Sequence, residues 1–122
     1  MDTLRISERG KAQLLRLRRL TGIKQWNVLC RWALCTSLAD GRSVGDIRVV
    51  GDSNVEISWK VLTGAWSDAY LLLLTNRCEE EGTPPTEKAL NQLLRRHVHR
   101  GIGILSADPT LVDVASLHDR VG

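Results

Sequence analysis

The first residues of the chain alternate between polar and apolar positions in two successive periods. Thr3 to Ser7 alternates with a period of two, which predicts a short half-buried strand. Ser7 is a suitable helix N-cap, and from Glu8 to about Thr21 leucines recur at helical spacing. Gly22 is expected to end this helix, because glycine accepts the left-handed conformation of a helix terminus. The pattern therefore predicts a strand that leads directly into an amphipathic helix.

A second helix is expected almost at once, from about Lys24 to Leu38. A helix that is apolar nearly all round is buried, and in a small chain we expect another subunit to cover part of it. The turn residues 40–43 then end the helix. The apolar residues in it are Trp26, Val28, Leu29, Trp32, Ala33, Leu34 and Cys35.

The middle of the chain predicts a β-hairpin. Val55, Ile57 and Trp59 alternate with polar neighbours, and a four-residue turn, 51–54, separates them from the apolar stretch 47–50. Two extended runs joined by a short polar turn are typical of a hairpin.

Two longer helices are expected in the second half. One begins at Ser67 and ends near the acidic run 79–81. The other follows Pro84-Pro85, begins with Thr86 as N-cap, and is expected to end at Gly101 or Gly103. The residues that share the apolar face of this last helix are Leu90, Leu93, Leu94, His97 and Val98.

Together these elements predict a mainly α fold, a compact helical domain over residues 1–122 with a short N-terminal strand and a hairpin. A last short helix is expected over 111–117. The order strand, helix, helix at the start is also that of ribbon-helix-helix DNA-binding proteins, in which strands of two subunits pair and enter the major groove. Only a dimer builds that ribbon, so we expect a homo-oligomer, either a dimer or a tetramer.

Composition narrows the class of protein. Hydrophobic residues make up 43% and charged residues 25%, which are globular proportions. No apolar run approaches the roughly 18 to 20 residues of a spanning helix, so no membrane partner is expected. Three cysteines, an odd number, without a signal-like segment favour a reducing compartment, and we expect a cytoplasmic protein.

Positive charge is concentrated at the start of the chain. The net charge is +3, but residues 1–48 carry ten basic and four acidic side chains, whereas residues 49–94 carry three and seven. A basic region on a compact chain is typical of a protein that binds a polyanion. A solvated helix surface balanced by the acidic middle would give the same counts.

The basic side chains of the first helix would extend over about 20 Å, several phosphate spacings of a duplex. Guanidinium groups bind phosphates bidentately. The chain has no Phe, and its four Trp lie in apolar contexts, so duplex backbone is a better partner than unpaired bases. The candidate DNA-binding residues, chosen by electrostatics, are Arg5, Arg9, Lys11, Arg16, Arg18, Arg19, Lys24 and Arg100.

The sequence contains no assembled catalytic or metal-binding motif. Glycine-rich phosphate loops, HExxH and CxxC patterns are absent. Cys30, Cys35 and Cys78 are expected to be inert buried thiols rather than a metal or redox site. His97 is expected at the edge of the core and His99 at the surface. We therefore expect no enzyme, no cofactor and no metal.

Three stretches of the sequence carry a family resemblance. They are the run TGIKQWNVLCRWA at 21–33, the run EISWK at 56–60 with Gly64, and the run HVHRGIG at 97–103. They resemble the DndE family of DNA sulfur-modification proteins over roughly residues 3 to 105. That family is a small component of bacterial DNA phosphorothioation systems, in which other members supply a cysteine desulfurase, an iron–sulfur protein and an ATPase. The resemblance implies a DNA-binding accessory subunit that carries no sulfur chemistry itself.

The family pattern is strongest in the predicted second helix, and we interpret its residues there as fold and subunit contacts. The last motif departs from the pattern, since Ile104-Leu105 stands where an aromatic residue is expected. The residues that the pattern marks most strongly are Trp26, Asn27, Cys30, Arg31 and Trp32.

The expected function is therefore a non-catalytic subunit that binds double-stranded DNA, with a preference for nicked or distorted duplex. Two alternatives stay open. In the first, the protein would be an adaptor that docks other phosphorothioation proteins without touching DNA. In the second, it would be a cysteine enzyme or sulfur carrier that uses Cys30, Cys35 or Cys78.

Overall fold

The computed structural model describes residues 1–45 and 47–111, and they form a mainly helical fold, as predicted. The last predicted helix, 111–117, lies outside the described residues except for its first position. The elements in chain order are β1 (Thr3–Arg5), α1 (Glu8–Thr21), α2 (Trp26–Asp40), β2 (Glu56–Ser58), α3 (Trp59–Thr63), a 3₁₀ turn (Gly64–Trp66), α4 (Ser67–Glu80) and α5 (Glu87–Ser106).

The predicted N-caps of α1 and α5 are confirmed by their hydrogen bonds, whereas α2 begins at Trp26, two residues after the predicted start, without a side-chain cap. The Ser7 hydroxyl accepts from the backbone N–H of Gly10 at 3.0 Å, and Thr86 caps α5 by accepting from Ala89 at 3.1 Å. Each bond satisfies a backbone donor that has no partner within its helix. Gly22 ends α1 in the left-handed conformation, with φ of 74°.

The expected hairpin is wrong, because β2 pairs with β1 instead of with residues 47–50. The two strands are antiparallel, with Leu4 opposite Ile57 and Arg5 opposite Glu56. Both Leu4 and Ile57 are buried, so this pairing places one face of each strand on the core. The strand–helix–helix order is present, but the strand that pairs with β1 belongs to the same chain.

The core is centred on the packing of α5 against α2. Leu34 of α2 and Val98 and Ile102 of α5 are fully buried. A Cβ at Gly101 would overlap the backbone carbonyl of Ala33, so the glycine lets the two helices approach closely. The predicted end of α5 at Gly101 or Gly103 is therefore wrong, because the helix continues to Ser106.

Exposed apolar side chains lie on α2, α3, α4 and the 3₁₀ turn. Trp32 on α2 is 45% exposed, so α2 is buried on one side only within this chain. The α2–α4 apolar surface consists of the exposed side chains Trp32, Val61, Trp66, Leu71, Leu72 and Leu73.

A membrane span needs a helix of sufficient length and apolar character. In the part of the chain that the structure describes, no helix is long and apolar enough to cross a membrane.

Candidate nucleic-acid interface

Three predicted arginines lie exposed along one side of α1. Arg9, Arg16 and Arg19 follow at i, i+7 and i+10, which places them on neighbouring parts of the helix surface. Arg16 donates from Nε to the carbonyl of Ser106 at 3.0 Å, and its charge has no carboxylate partner among the described residues. Arg9 and Arg19 form no ion pair with any residue of 1–45 or 47–111. We call Arg9, Arg16 and Arg19 the α1 basic surface.

Two further candidates lie at the end of α1 and the start of α2. Arg18 donates from Nη2 to the carbonyl of Lys24 at 2.9 Å, and its guanidinium lies 3.8 Å from the centre of the Trp26 ring. This cation–π contact and hydrogen bond hold the connection between the two helices. Lys24 itself is exposed.

Arg5 and Lys11 bind side chains in and just before β2. Arg5 forms an ion pair with Glu56 at 3.0 Å across the two-stranded sheet. Lys11 donates from Nζ to the side-chain oxygen of Asn54 at 2.7 Å. The charge of Arg5 is thus balanced locally, whereas that of Lys11 is only hydrogen-bonded.

Arg100 is held rigidly against the end of α2. Its Nε donates to Ser37 Oγ at 2.8 Å, its Nη2 to the Ser37 carbonyl at 2.7 Å, and its Nη1 to the Ser43 carbonyl at 3.2 Å. Burial lowers the pKa of Arg100 from its ordinary value. Arg100 lines a cleft that Arg9 also lines, whereas Arg16 and Arg19 do not line it.

Two clefts flank the segment 47–51, and both are lined by arginines. Arg9, Arg48 and Arg100 line the first, whose volume is about 670 Å³. Arg48 also lines the second, of about 630 Å³, together with Arg95 and Arg96. Arg95 pairs with Asp52 at 2.9 Å, which uses part of its charge.

Sequence reasoning missed Arg48 as a site residue. It lies in the segment 47–50 that was expected to be a strand, where a single arginine carries no signal. The sequence signal for a basic region here was the cluster of three arginines on α5, namely Arg95, Arg96 and Arg100.

Both histidines of α5 serve the fold. His97 is fully buried rather than at the core edge, and its Nδ1 lies 2.7 Å from Ser37 Oγ. Burial, with the nearby charges of Arg100 and Arg77, lowers the pKa of His97 to about 4.

His99 is half-buried, so the expectation of a surface position is wrong. Its Nε2 accepts from the backbone N–H of Ser7 at 3.0 Å, and its Nδ1 donates to the carbonyl of Arg95 at 2.7 Å. Burial is also the main cause of a lowered pKa at His99. The ring ties the N-terminus of α1 to α5.

The three cysteines lie in different environments. Cys30 is buried, and burial raises the pKa of its thiol to about 12. Cys78 is also buried, and its pKa is raised by burial and by Glu81 and Glu79. Cys35 is exposed, which corrects the expectation for this residue, and its sulfur lies 3.4 Å from the Tyr70 hydroxyl. In the described ranges no cluster of three or more His, Cys, Asp or Glu side chains is placed to hold a metal ion.

Fold and surface together define a small, mainly helical protein with a row of exposed arginines on its first helix. The family model described as DNA sulphur modification protein DndE matches residues 3–113. The chain therefore belongs to the DndE family, which confirms the resemblance found in the sequence.

Solved DndE structures have a similar fold. A crystal structure of DndE from Escherichia coli B7A, involved in DNA phosphorothioation modification, is 24% identical, with a TM-score of 0.66 over 86% of this chain and 97% of that one. The G21/24K mutant of a DndE involved in DNA phosphorothioation is 21% identical, with the same TM-score over 86% of this chain and 96% of that one. A search of curated proteins finds no match.

Proposed function

We propose that this chain is a non-catalytic, cytoplasmic subunit of a DNA phosphorothioation system that binds double-stranded DNA through the α1 basic surface. The observation that carries the proposal is that Arg9, Arg16 and Arg19 are exposed on one side of α1 without a carboxylate partner among the described residues. A guanidinium that no carboxylate neutralises is available to phosphate oxygens. Membership of a DNA sulphur modification family supports DNA as the source of those phosphates.

The dimensions of the α1 basic surface suit a duplex backbone. From Arg9 to Arg19 the helix rises about 15 Å, the axial length of roughly four phosphates of one strand. Lys11 and Lys24 are the lysines of the proposed set. Arg5, Arg18 and Arg100 complete the proposed set, and their bonds to the fold position them.

A role without sulfur chemistry is supported by the state of the thiols. A thiolate is the reactive form of cysteine, and the raised pKa values of Cys30 and Cys78 keep both protonated at neutral pH. Cys35 is the exposed thiol. A Cys35→Ala protein that still supports DNA modification in cells would agree with the proposal, whereas loss of modification in a folded variant would favour the sulfur-carrier alternative.

We also propose a preference for nicked or distorted duplex. Replacing a non-bridging phosphate oxygen by sulfur requires access to a strained or interrupted backbone. Gel shifts of nicked and intact duplexes of the same sequence at two salt concentrations test this preference, and equal affinity would remove it.

Charge reversal on α1 tests the surface. Arg16→Glu with Arg19→Glu should weaken binding at least tenfold for every duplex sequence, because phosphate contacts carry no base information. The single change Arg19→Glu should have a smaller effect in the same direction. Lys88→Glu is the matched control for the single variant, since it makes the same change in charge at an exposed site at the start of α5. If the α1 double variant and the control bind alike, the surface is wrongly chosen.

A second function, as an adaptor for other phosphorothioation proteins, is favoured by the α2–α4 apolar surface. Exposed patches of large apolar side chains mark protein interaction sites. Co-purification with those proteins that survives nuclease treatment, without retardation of DNA, would support the adaptor function over direct DNA binding.

A further inference from the structure

The cleft of about 670 Å³ between α1, α5 and the segment 47–50 brings together three arginines from distant parts of the chain. Arg9 comes from the first turn of α1, Arg48 from the connection between α2 and β2, and Arg100 from α5. No carboxylate is among the described residues that line this cleft. It shares Arg9 with the α1 basic surface, whereas Arg16 and Arg19 do not line it.

The cleft is positively charged and partly pre-organised. Three hydrogen bonds to Ser37 and Ser43 fix Arg100, and the guanidinium keeps N–H groups that those bonds do not use. A side chain that is already ordered loses little entropy when it binds a ligand. Ser7 and Gly10 also line the cleft, so the positive end of the 14-residue helix α1 adds to the field.

Apart from the arginines, the wall contains the polar side chains of Ser7, Gln13 and His99 and an apolar part. Ile47, Val49, Val50 and Ile104 line the same space, and Val50 is 80% exposed. An inorganic anion would gain nothing from contact with these apolar side chains. A volume of this size is typical of small-molecule sites, and it exceeds what a phosphate group alone would fill. The arrangement of arginines beside an apolar wall suits a phosphate attached to a sugar and a base.

We propose that this cleft binds a nucleotide through its phosphate monoester, either a free nucleoside monophosphate or the phosphorylated end of a DNA strand. Arg9, Arg48 and Arg100 contact the phosphate, and the apolar wall contacts the sugar and base. A monoester carries more negative charge than the diester within a strand, and three guanidinium groups favour the more highly charged group. For the DNA source, this inference rests on the proposed function.

The first part of the test uses free ligands and the whole chain. Calorimetric titration with thymidine 5′-monophosphate should show binding, whereas thymidine should show none. Arg48→Ala should weaken binding of the nucleotide at least tenfold. Lys88→Ala, which removes an exposed charge outside the cleft, is the matched control. Inorganic phosphate that binds as tightly as the nucleotide would overturn the role of the apolar wall.

The second part uses a duplex with a nick that ends in either a 5′-phosphate or a 5′-hydroxyl. The wild type should bind the phosphorylated nick several-fold more tightly, and Arg48→Ala should remove the difference. Binding of the free nucleotide without any difference between nicks would identify a free nucleotide as the ligand. If neither part shows a preference for phosphate, the inference fails.

The proposed function fails separately. It is overturned if the chain binds no duplex at all, whatever the cleft does. It stands without the cleft if charge reversal at Arg16 and Arg19 removes duplex binding while neither the nick phosphate nor the free nucleotide matters.

Discussion

Ser37 connects two side chains of α5, His97 and Arg100, to α2. Its hydroxyl accepts from Arg100 Nε at 2.8 Å and lies 2.7 Å from His97 Nδ1. The hydroxyl has two lone pairs and one proton, so beside Arg100 it can serve Nδ1 as donor or as acceptor. The neutral imidazole is favoured by burial and by the nearby charges of Arg100 and Arg77, which lower the pKa of His97.

We predict that acid destabilises the fold through this histidine. The pKa of His97 is about 4 in the folded chain and about 6.5 in the unfolded chain, so only the unfolded chain takes up the proton between these values. The free energy of unfolding should therefore be intact above pH 6.5 and fall as the pH decreases towards 4, by up to about 3 kcal/mol. His99, whose pKa burial also lowers, acts in the same direction.

Denaturant unfolding at pH 7 and pH 5 measures this loss. His97→Gln, which does not titrate, should show a shallower dependence on pH than the wild type. An NMR titration of the wild-type ring provides an independent reading. A ring that titrates near pH 6.5 in the folded protein would contradict the account.

Single residues were predictable where their role is local. Ser7, Gly22 and Thr86 act within three or four positions of themselves, so the sequence contains the whole of their interaction. His99 and Arg100 were misjudged or incompletely described because their partners lie more than fifty residues away. No periodicity in α5 signals a bond to a serine of another element.

The close contact between α5 and α2 depends on a glycine. Gly101→Ala should destabilise the protein by about 1–3 kcal/mol or more, because the new methyl group overlaps the backbone of Ala33, which cannot move aside as a side chain does. Gly103→Ala is the matched control on the same helix. Among the described residues its Cβ meets only Gln13 Nε2, at 3.9 Å, so the change should be neutral or stabilise by about 0.5–1 kcal/mol.

Thermal or denaturant unfolding of the two glycine variants separates packing from helix propensity. The account predicts opposite signs, with a lower midpoint for Gly101→Ala and an equal or higher one for Gly103→Ala. Equal stabilities would show that α5 and α2 do not approach as closely as described.

At the level of elements, the sequence identified helices better than strand pairing. The bounds of α1 were anticipated closely because an apolar period and a cap define a helix locally, and those of α4 were anticipated closely although no side chain caps it. Alternation identified β2, but alternation does not specify a partner, and the burial of Leu4 and Ile57 on one face selects β1. The end of α5 was missed because glycines that permit close packing resemble glycines that end helices.

For the whole molecule, the α2–α4 apolar surface is the feature that the isolated chain leaves unexplained. We propose that it forms the contact between subunits of a dimer or tetramer, since burying large apolar side chains is the main favourable term in association. Leu72→Lys, at a position that is 61% exposed, should lower the mass measured by light scattering without lowering the helix content.

Val50→Lys is the control for this change. Val50 is also exposed but lies on the segment 47–50, outside the α2–α4 apolar surface, so the mass should stay as in the wild type. A wild-type protein that is monomeric at all concentrations, or a Leu72 variant of unchanged mass, would count against this assembly.

The salt dependence of duplex binding shows whether the α1 basic surface neutralises phosphates. If the α1 basic surface neutralises phosphates, the logarithm of the binding constant falls linearly with the logarithm of the salt concentration, with a slope of about −0.9 for each phosphate contacted. We expect a steep slope for the wild type. When Arg16 and Arg19 are both changed to Glu, the slope should become shallower by the contribution of about two phosphate contacts. A wild type that binds no duplex at low salt, or equal slopes for the two proteins, would contradict this expectation.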